Sequence, residues 1–214
     1  VRGKNKWKLW MNTNSLAVIL KQKSYDLGID FKGDFRNLFF LWKIKPTLRA
    51  GFPASGGKYL LTHPFDFPFQ LHQRNRALYL LNKLGISISE TSKSFSFPKT
   101  KDSRCNKIVI HTGANHPERK WPVSHWIALI KLLKKSYDLA LVQGEDVQND
   151  TRTILLDSPE LEIFNGSLLD FGCWLQNQKL LIGVDSMAVH LSSLLGVPAL
   201  AMFGSQNPDL TGPY

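Results

Sequence analysis

Five short apolar runs alternate with four amphipathic stretches over residues 107–203, and this alternation restricts the fold more than any other feature. Residues 108–110 and 180–182 are wholly apolar, which is typical of parallel strands covered by helices on both faces. Because strand–helix–strand crossovers are right-handed, the series predicts an α/β fold with a doubly wound, Rossmann-like parallel sheet. The predicted strands are 107–111, 139–143, 161–164, 180–184 and 199–203, and the predicted helices are 124–137, 149–156, 168–176 and 186–195.

The first half of the chain predicts a second, incomplete α/β lobe. Its signals are one strand at 25–31 and helices at 6–20, 34–42 and 71–84, the last closed by Gly85. Residues 89–106 are rich in Ser and Lys and contain a proline. They therefore predict a linker, with a short edge strand at 95–97. We expect two domains, 1–100 and 101–214.

Positive charge is concentrated in the first half. The whole sequence carries a net charge of +10, yet residues 1–104 hold 19 Lys and Arg against 6 Asp and Glu, a local charge of +13, and residues 105–214 carry −3. This asymmetry indicates an anionic partner for the first lobe, and nucleic acid, a phosphorylated glycolipid and an anionic membrane surface all qualify. A solubilising surface is the alternative that charge alone leaves open.

Several function classes lack their sequence signatures. The chain contains no G-x-x-x-x-G-K-[ST] phosphate loop, no G-x-G-x-x-G dinucleotide fingerprint and no G-x-S-x-G hydrolase elbow. His111 and His116 lie close together in sequence but lack the Cys or carboxylate spacing of a zinc site, so no metal is implied. Cys105 and Cys173 are far apart and predict two free thiols. No apolar run reaches 18 residues, so no bilayer-spanning helix is predicted.

Small and polar residues follow every predicted strand of the second half. In open parallel sheets, ligands bind beyond the carboxyl ends of the strands, and these residues would converge there. Turns between strands and helices favour Gly, Asp and Ser in any case, which explains part of the pattern. The segments are 111–115, 143–146, 165–167, 185–186 and 204–206.

One group of candidate site residues begins the helix predicted at 186–195. Asp185 follows an apolar strand and is the expected N-cap of that helix. The free amides of Ser186, Met187 and Ala188 would then point along the helix axis and form a site for a phosphate group. His190 lies further along the same helix, where a packed or capping histidine is the alternative to one that binds a ligand.

A second group of candidates follows the first strand of this half. Thr112, Gly113 and Ala114 form its turn, and glycine allows the backbone to approach a ligand closely. Lys120 ends the next loop and is expected to reach a diphosphate as a point charge, with a solvated loop lysine as the alternative. Ser124 precedes an apolar helical pattern and is the expected N-cap there.

These candidates lie in segments that resemble glycosyltransferase family 9, the heptosyltransferases of lipopolysaccharide core synthesis. The resemblance covers about residues 25–214 in order, and its second-half motifs are the more specific. The second-half segments are 108–114, 119–122, 165–166, 182–191, 195–198, 203–204 and 212–214, and the first-half segments are 25–30, 33–36, 72–76 and 84–86.

The resemblance implies a GT-B fold, in which two Rossmann-like lobes bind the acceptor in the first and the donor in the second. It implies an inverting transferase that uses an ADP-sugar as substrate and needs no metal or other cofactor. Asp185 and His190 would support the chemistry, while the catalytic base would lie upstream of Val1. The implied donor-binding residues are Thr112, Gly113, Ala114, Lys120, Asp185, Ser186, Met187, Ala188 and His190.

For its partners, the resemblance implies a nucleotide-sugar donor and an anionic glycolipid acceptor, lipid A with its inner core. Both the acceptor and the inner leaflet are negatively charged, which suits the basic first lobe. The implied protein is a cytoplasmic monomer that binds no nucleic acid and contacts the cytoplasmic face of the inner membrane peripherally.

Two departures from the family pattern qualify these expectations. Met187 stands where many members have glycine. The family's first strand, with its L-G-D segment and catalytic base, has no counterpart, so we expect a chain truncated at both ends that lacks transferase activity by itself. Two other functions stay open: a sugar-nucleotide epimerase of the same two-lobed shape, and a non-catalytic nucleotide or nucleic-acid binding module.

Overall fold

The computed structural model describes residues 6–88, 98, 106–114, 116–144 and 148–213, with the backbone alone over 6–13 and at 148. The chain divides into two compact units, Val1–Glu90 and Thr91–Tyr214. The predicted linker at 89–106, its edge strand and the expected boundary after residue 100 lie almost wholly outside the described residues. The boundary therefore stays a prediction.

The first unit contains a three-stranded parallel sheet in the order β1-β2-β3. Each helix and strand predicted from the first half of the sequence is present, with ends that differ by a few residues. Gly85 follows the third helix with a φ of +74°, the left-handed conformation expected of a residue that ends a helix. The elements are α1 (Lys6–Lys21), β1 (Leu27–Asp30), α2 (Phe35–Ile44), β2 (Leu48–Gly51), β3 (His63–Pro64) and α3 (Gln73–Lys83).

The turn between β1 and α2 is held by two aspartates. The buried Asp30 carboxylate accepts a hydrogen bond of 2.6 Å from the Gly33 amide, and Gly33 has a φ of +77°. Asp34 caps α2 by accepting from the Arg36 amide at 2.9 Å. Hydrogen bonds from the Arg36 side chain and backbone lower the pKa of the Asp34 carboxyl below its usual value. These bonds explain why the Gly-Asp-Phe-Arg segment at 33–36 begins a helix.

The second unit contains a five-stranded parallel sheet in the order β6-β5-β4-β7-β8. All five strands and all four main helices predicted for this half are present. A short helix, α8, follows the last strand. The elements are β4 (Ile108–His111), α4 (Val123–Leu133), β5 (Leu139–Val142), α5 (Gln148–Asp157), β6 (Glu162–Phe164), α6 (Leu168–Leu175), β7 (Leu180–Val184), α7 (Met187–Leu194), β8 (Ala199–Met202) and α8 (Pro208–Thr211).

Both faces of this sheet are covered by helices. Ile108 and Ile110 of β4 pack in one cluster with Trp126 of α4, while Val109 between them packs in a second cluster with Phe171 of α6. Strand side chains alternate between faces, so a strand buried on both sides must be apolar throughout. The unbroken apolar runs are therefore the cause of the doubly wound arrangement, and the predicted α/β fold class is confirmed.

The strand order reverses direction at β4, and this reversal positions the candidate site. The chain moves outward from β4 to β5 and β6, then returns to lay β7 on the other side of β4. Helices on either side of such a reversal diverge, which opens a crevice at the carboxyl ends of the two strands. His111, the last residue of β4, pairs with Gly183 of β7 at this edge.

The N-cap of α4 differs from its prediction. The helix expected to be capped by Ser124 begins at Val123, and its N-cap is Pro122, which makes no side-chain cap hydrogen bond. Proline fixes its own φ near the value that leads into a helix, and the N-cap lies two residues before the serine that the pattern indicates. Among the described residues, no helix is both long enough and apolar enough to cross a membrane.

Candidate functional site

A cavity of about 290 Å³ opens at the carboxyl ends of β4 and β7, where the strand order reverses. Six of the nine donor-binding residues predicted from the sequence line it, together with two residues outside that list. The predicted ones are Gly113, Ala114, Asp185, Ser186, Met187 and His190, and the others are His111 and Arg119.

The N-terminus of α7 forms one wall of this cavity. Its N-cap is Ser186, in extended conformation, and the serine side chain makes no cap hydrogen bond. The first amides of any helix lack partners within the helix, so those that begin at Met187 are directed toward the cavity end of the helix axis. That this terminus binds an anion stays a prediction.

Asp185 is not the N-cap of α7, and the prediction that it would be is wrong. Its amide donates to the Met202 carbonyl at 3.1 Å, so Asp185 still belongs to the hydrogen-bonded ladder between β7 and β8. A cap residue needs its side chain turned back over the first helical turn. The sheet instead holds the Asp185 side chain in the cavity wall, where the residue is only 4% exposed.

The Asp185 carboxylate is paired with Arg119. The guanidinium Nη1 lies 3.2 Å from Oδ2, although neither the arginine Nε nor this carboxylate oxygen makes a well-aligned hydrogen bond to the described residues. A buried carboxylate is unfavourable without a nearby positive charge. Arg119 supplies that charge from the loop after β4, and its side chain remains 30% exposed. The guanidinium is thus held at the cavity with donors that are not all used.

Lys120, the predicted cation, lies elsewhere. Its ammonium group is 3.8 Å from an oxygen of Asp150 on α5, and the residue does not line the cavity. The backbone at Lys120 is extended, with φ −79° and ψ 141°. Arg119 ends the short 3₁₀ helix Pro117–Arg119 and pairs with Asp185, whereas Lys120 after it pairs with Asp150. The sequence prediction named only Lys120 of this Arg-Lys pair.

Two other predicted residues lie behind the cavity surface. Thr112 is 1% exposed, and its hydroxyl has no hydrogen-bond partner among the described residues. Ala188 is fully buried in the cluster beneath α7, so it would contribute its amide and not its side chain.

Two imidazoles complete the cavity lining. His190 projects from α7 and is exposed, while His111 at the end of β4 is half-buried, with its Nδ1 atom 3.4 Å from the Ser186 hydroxyl. The position of His111 at the end of the first strand of this lobe was the available sequence signal for it. Within the part of the chain that the structure describes, no three His, Cys, Asp or Glu residues are grouped as metal ligands would be.

Comparison with known proteins gives a consistent result. A sequence model of glycosyltransferase family 9 (heptosyltransferase) matches residues 13–214. Lipopolysaccharide heptosyltransferase 1 from Pseudomonas aeruginosa and from Escherichia coli are each 23% identical to this chain; the alignments cover 91% of the chain but only 59% and 64% of those relatives. The chain thus spans less than two thirds of either relative's length.

Solved structures show the same fold. The structure of the E. coli heptosyltransferase WaaC with ADP matches all of this chain and 72% of that one, with a TM-score of 0.77 and 19% sequence identity. The likeness confirms the GT-B type fold, in which each lobe is Rossmann-like, and it agrees with the two parallel sheets described above.

Proposed function

This chain belongs to glycosyltransferase family 9, and from that membership we propose that the protein transfers a heptose or a related sugar from an ADP-sugar to a lipopolysaccharide core acceptor, with inversion at the anomeric carbon. One observation carries the proposal beyond membership. The open N-terminus of α7 and the guanidinium of Arg119 meet in a single cavity at the strand-order reversal. Both are suited to the diphosphate of a nucleotide sugar.

The main requirement of this reaction is to stabilise the negative charge that develops on the departing diphosphate. As the bond from the anomeric carbon to the diphosphate oxygen breaks, helix amides that are already oriented stabilise the charge without having to reorganise. Arg119 would add a charge-assisted hydrogen bond, since its guanidinium is fixed at the cavity by Asp185. Gly113 and Ala114 would let the β4 turn approach the phosphates, and His190, which lines the same cavity, would lie near phosphate or sugar.

The reaction balances without any redox partner. An acceptor hydroxyl forms the new bond to the anomeric carbon, its proton passes to a base, and ADP leaves with the electrons of the broken bond. None of the residues described here is assigned as that base. The proposed transfer uses no metal ion and no cofactor apart from the ADP-sugar substrate.

The first lobe would bind the acceptor. Residues 1–104 carry a net charge of +13, and a phosphorylated glycolipid in an anionic leaflet is the complementary partner. We place the protein as a monomer at the cytoplasmic face of the inner membrane, held there by charge. Sedimentation with lipid vesicles tests this: binding to anionic vesicles at low salt should be lost at high salt, and equal binding to neutral vesicles would contradict it.

Two alternatives remain distinct from this proposal. A nucleotide or nucleic-acid binding module would use the same cavity or the same basic lobe without catalysis. A sugar-nucleotide epimerase would share the two-lobed shape, but it has no need for a strongly basic first lobe. Membership of a transferase family favours neither of them.

A ligand titration tests the proposed function directly. ADP should raise the thermal midpoint, and at a concentration 100-fold above its Kd the gain in stability should be about 2.7 kcal/mol. UDP should protect less than ADP. A nucleic-acid module would instead ignore ADP and bind oligonucleotides with an affinity that falls steeply with salt. Absence of any ADP effect in the wild-type chain would refute the proposed donor.

A further inference from the structure

The side chain of Ser186, the N-cap residue of α7, makes no capping hydrogen bond. Serine is among the preferred N-cap residues because its hydroxyl accepts a hydrogen bond from an amide of the first helical turn. Ser186 occupies the N-cap position with an extended backbone, yet its side chain makes no such bond. Its hydroxyl lies instead 3.4 Å from Nδ1 of His111, 75 residues earlier in the chain.

The sheet fixes the backbone of His111 beside this serine. It ends β4, the central strand of the sheet, and pairs with Gly183 of β7. The two strands are so close that a Cβ at Gly183 would lie 3.2 Å from the His111 carbonyl oxygen. The imidazole also lies 6.5 Å from the ring of Phe171, measured between ring centres. The backbone of His111 is therefore fixed by the sheet, while its ring lies between Phe171 of α6 and Ser186 at the start of α7.

We propose that His111 is a positioning residue: it holds the Ser186 hydroxyl away from the first turn of α7 and so keeps the helix amides open for an anionic group. The inference rests on the proposed function, because the amides that His111 would keep open are those that would bind the donor diphosphate. Without the imidazole, the hydroxyl is free to rotate back and cap the helix. It then competes with the ligand for the same donors.

A double-mutant cycle with pyrophosphate and ADP as probes tests the proposal. His111→Ala should weaken the binding of both by about fivefold, the factor that corresponds to one N-cap hydrogen bond. In a Ser186→Ala background no hydroxyl can cap the helix, so adding His111→Ala should cause little further loss. The Ser186→Ala single variant provides the baseline for that second comparison. Binding constants come from isothermal titration, with thermal midpoints recorded to confirm folding.

The conservative variant His111→Asn separates positioning from packing. An asparagine places a polar δ atom where Nδ1 lies, so it should restore most of the lost affinity, although it removes most of the ring. A merely structural role for His111 would give equal losses in both backgrounds and no rescue by asparagine, and either result overturns the proposal.

The two probes also distinguish this inference from the proposed function. If the wild-type chain binds pyrophosphate but not ADP, the proposed donor is wrong, and the cycle with pyrophosphate still decides the role of His111. If it binds neither probe, the amides of α7 bind no anion, and both the proposed donor and the proposed role of His111 are wrong.

Discussion

Replacing Arg119 with methionine is expected to weaken ADP binding by about 10- to 100-fold, whereas the same replacement of Lys120 is expected to weaken it by less than about threefold. A hydrogen bond to a charged group contributes roughly 1.5–3 kcal/mol, and every 1.4 kcal/mol is a tenfold change in Kd. Only Arg119 lines the cavity, since Lys120 is directed toward Asp150. Titration calorimetry with ADP measures both constants.

The two variants form a matched pair because each removes one positive charge from adjacent positions of the same loop. Any long-range electrostatic effect is therefore common to both, and the difference isolates the contact with the ligand. Arg119→Met also leaves the buried Asp185 carboxylate without its partner, so the thermal midpoint of the free protein should fall. Arg119→Lys, which keeps the charge, should recover part of that stability. Equal losses of affinity in the two methionine variants would show that the site senses only net charge, and a larger loss for Lys120 would restore the prediction from sequence.

The choice between these cations shows what the sequence alone could not decide. The Arg-Lys pair is visible in the sequence, but which member faces the cavity depends on backbone direction and on Asp185, which follows a different strand. The same holds for the N-cap of α7. The local sequence pattern favours Asp185, but the Asp185 amide donates to the Met202 carbonyl, which keeps this residue in the sheet. His111 was missed because its bond to Ser186 exists only when β4 and β7 are neighbours.

Most of the fold, in contrast, depends on patterns that are local in sequence. Strands buried on both faces must be apolar at every position, so runs such as 108–110 can be recognised in the sequence as buried strands. Their alternation with amphipathic stretches then leaves few topologies, and the convergence of polar residues at the carboxyl edge follows from parallel strands alone. Six of the predicted donor-binding residues therefore line the cavity at this edge, while contacts between segments distant in sequence decided which other side chains reach it, and donor binding stays a prediction.

Replacing Met187 with proline is expected to weaken ADP binding by about tenfold more than replacing it with alanine. Met187 is the first residue of α7, and its side chain is 52% exposed. Both substitutions remove the thioether, but only proline also removes the backbone N–H. If that amide donates to the diphosphate, its loss costs about one charge-assisted hydrogen bond, and the ratio of the two dissociation constants measures it.

The helix should tolerate this proline, which makes the comparison interpretable. Proline is favoured at the first helical position, where the missing N–H has no partner within the helix. The residue before a proline must be extended, and Ser186 already is, with φ −150° and ψ 170°. Thermal midpoints of the two ligand-free variants should therefore be close. Equal ADP affinities in two well-folded variants would mean that the Met187 amide binds no phosphate, and the donor would then depend on Arg119 and on amides deeper in the helix. A tenfold ratio would locate the leaving diphosphate at the start of α7, because proline at this position removes nothing else that alanine keeps.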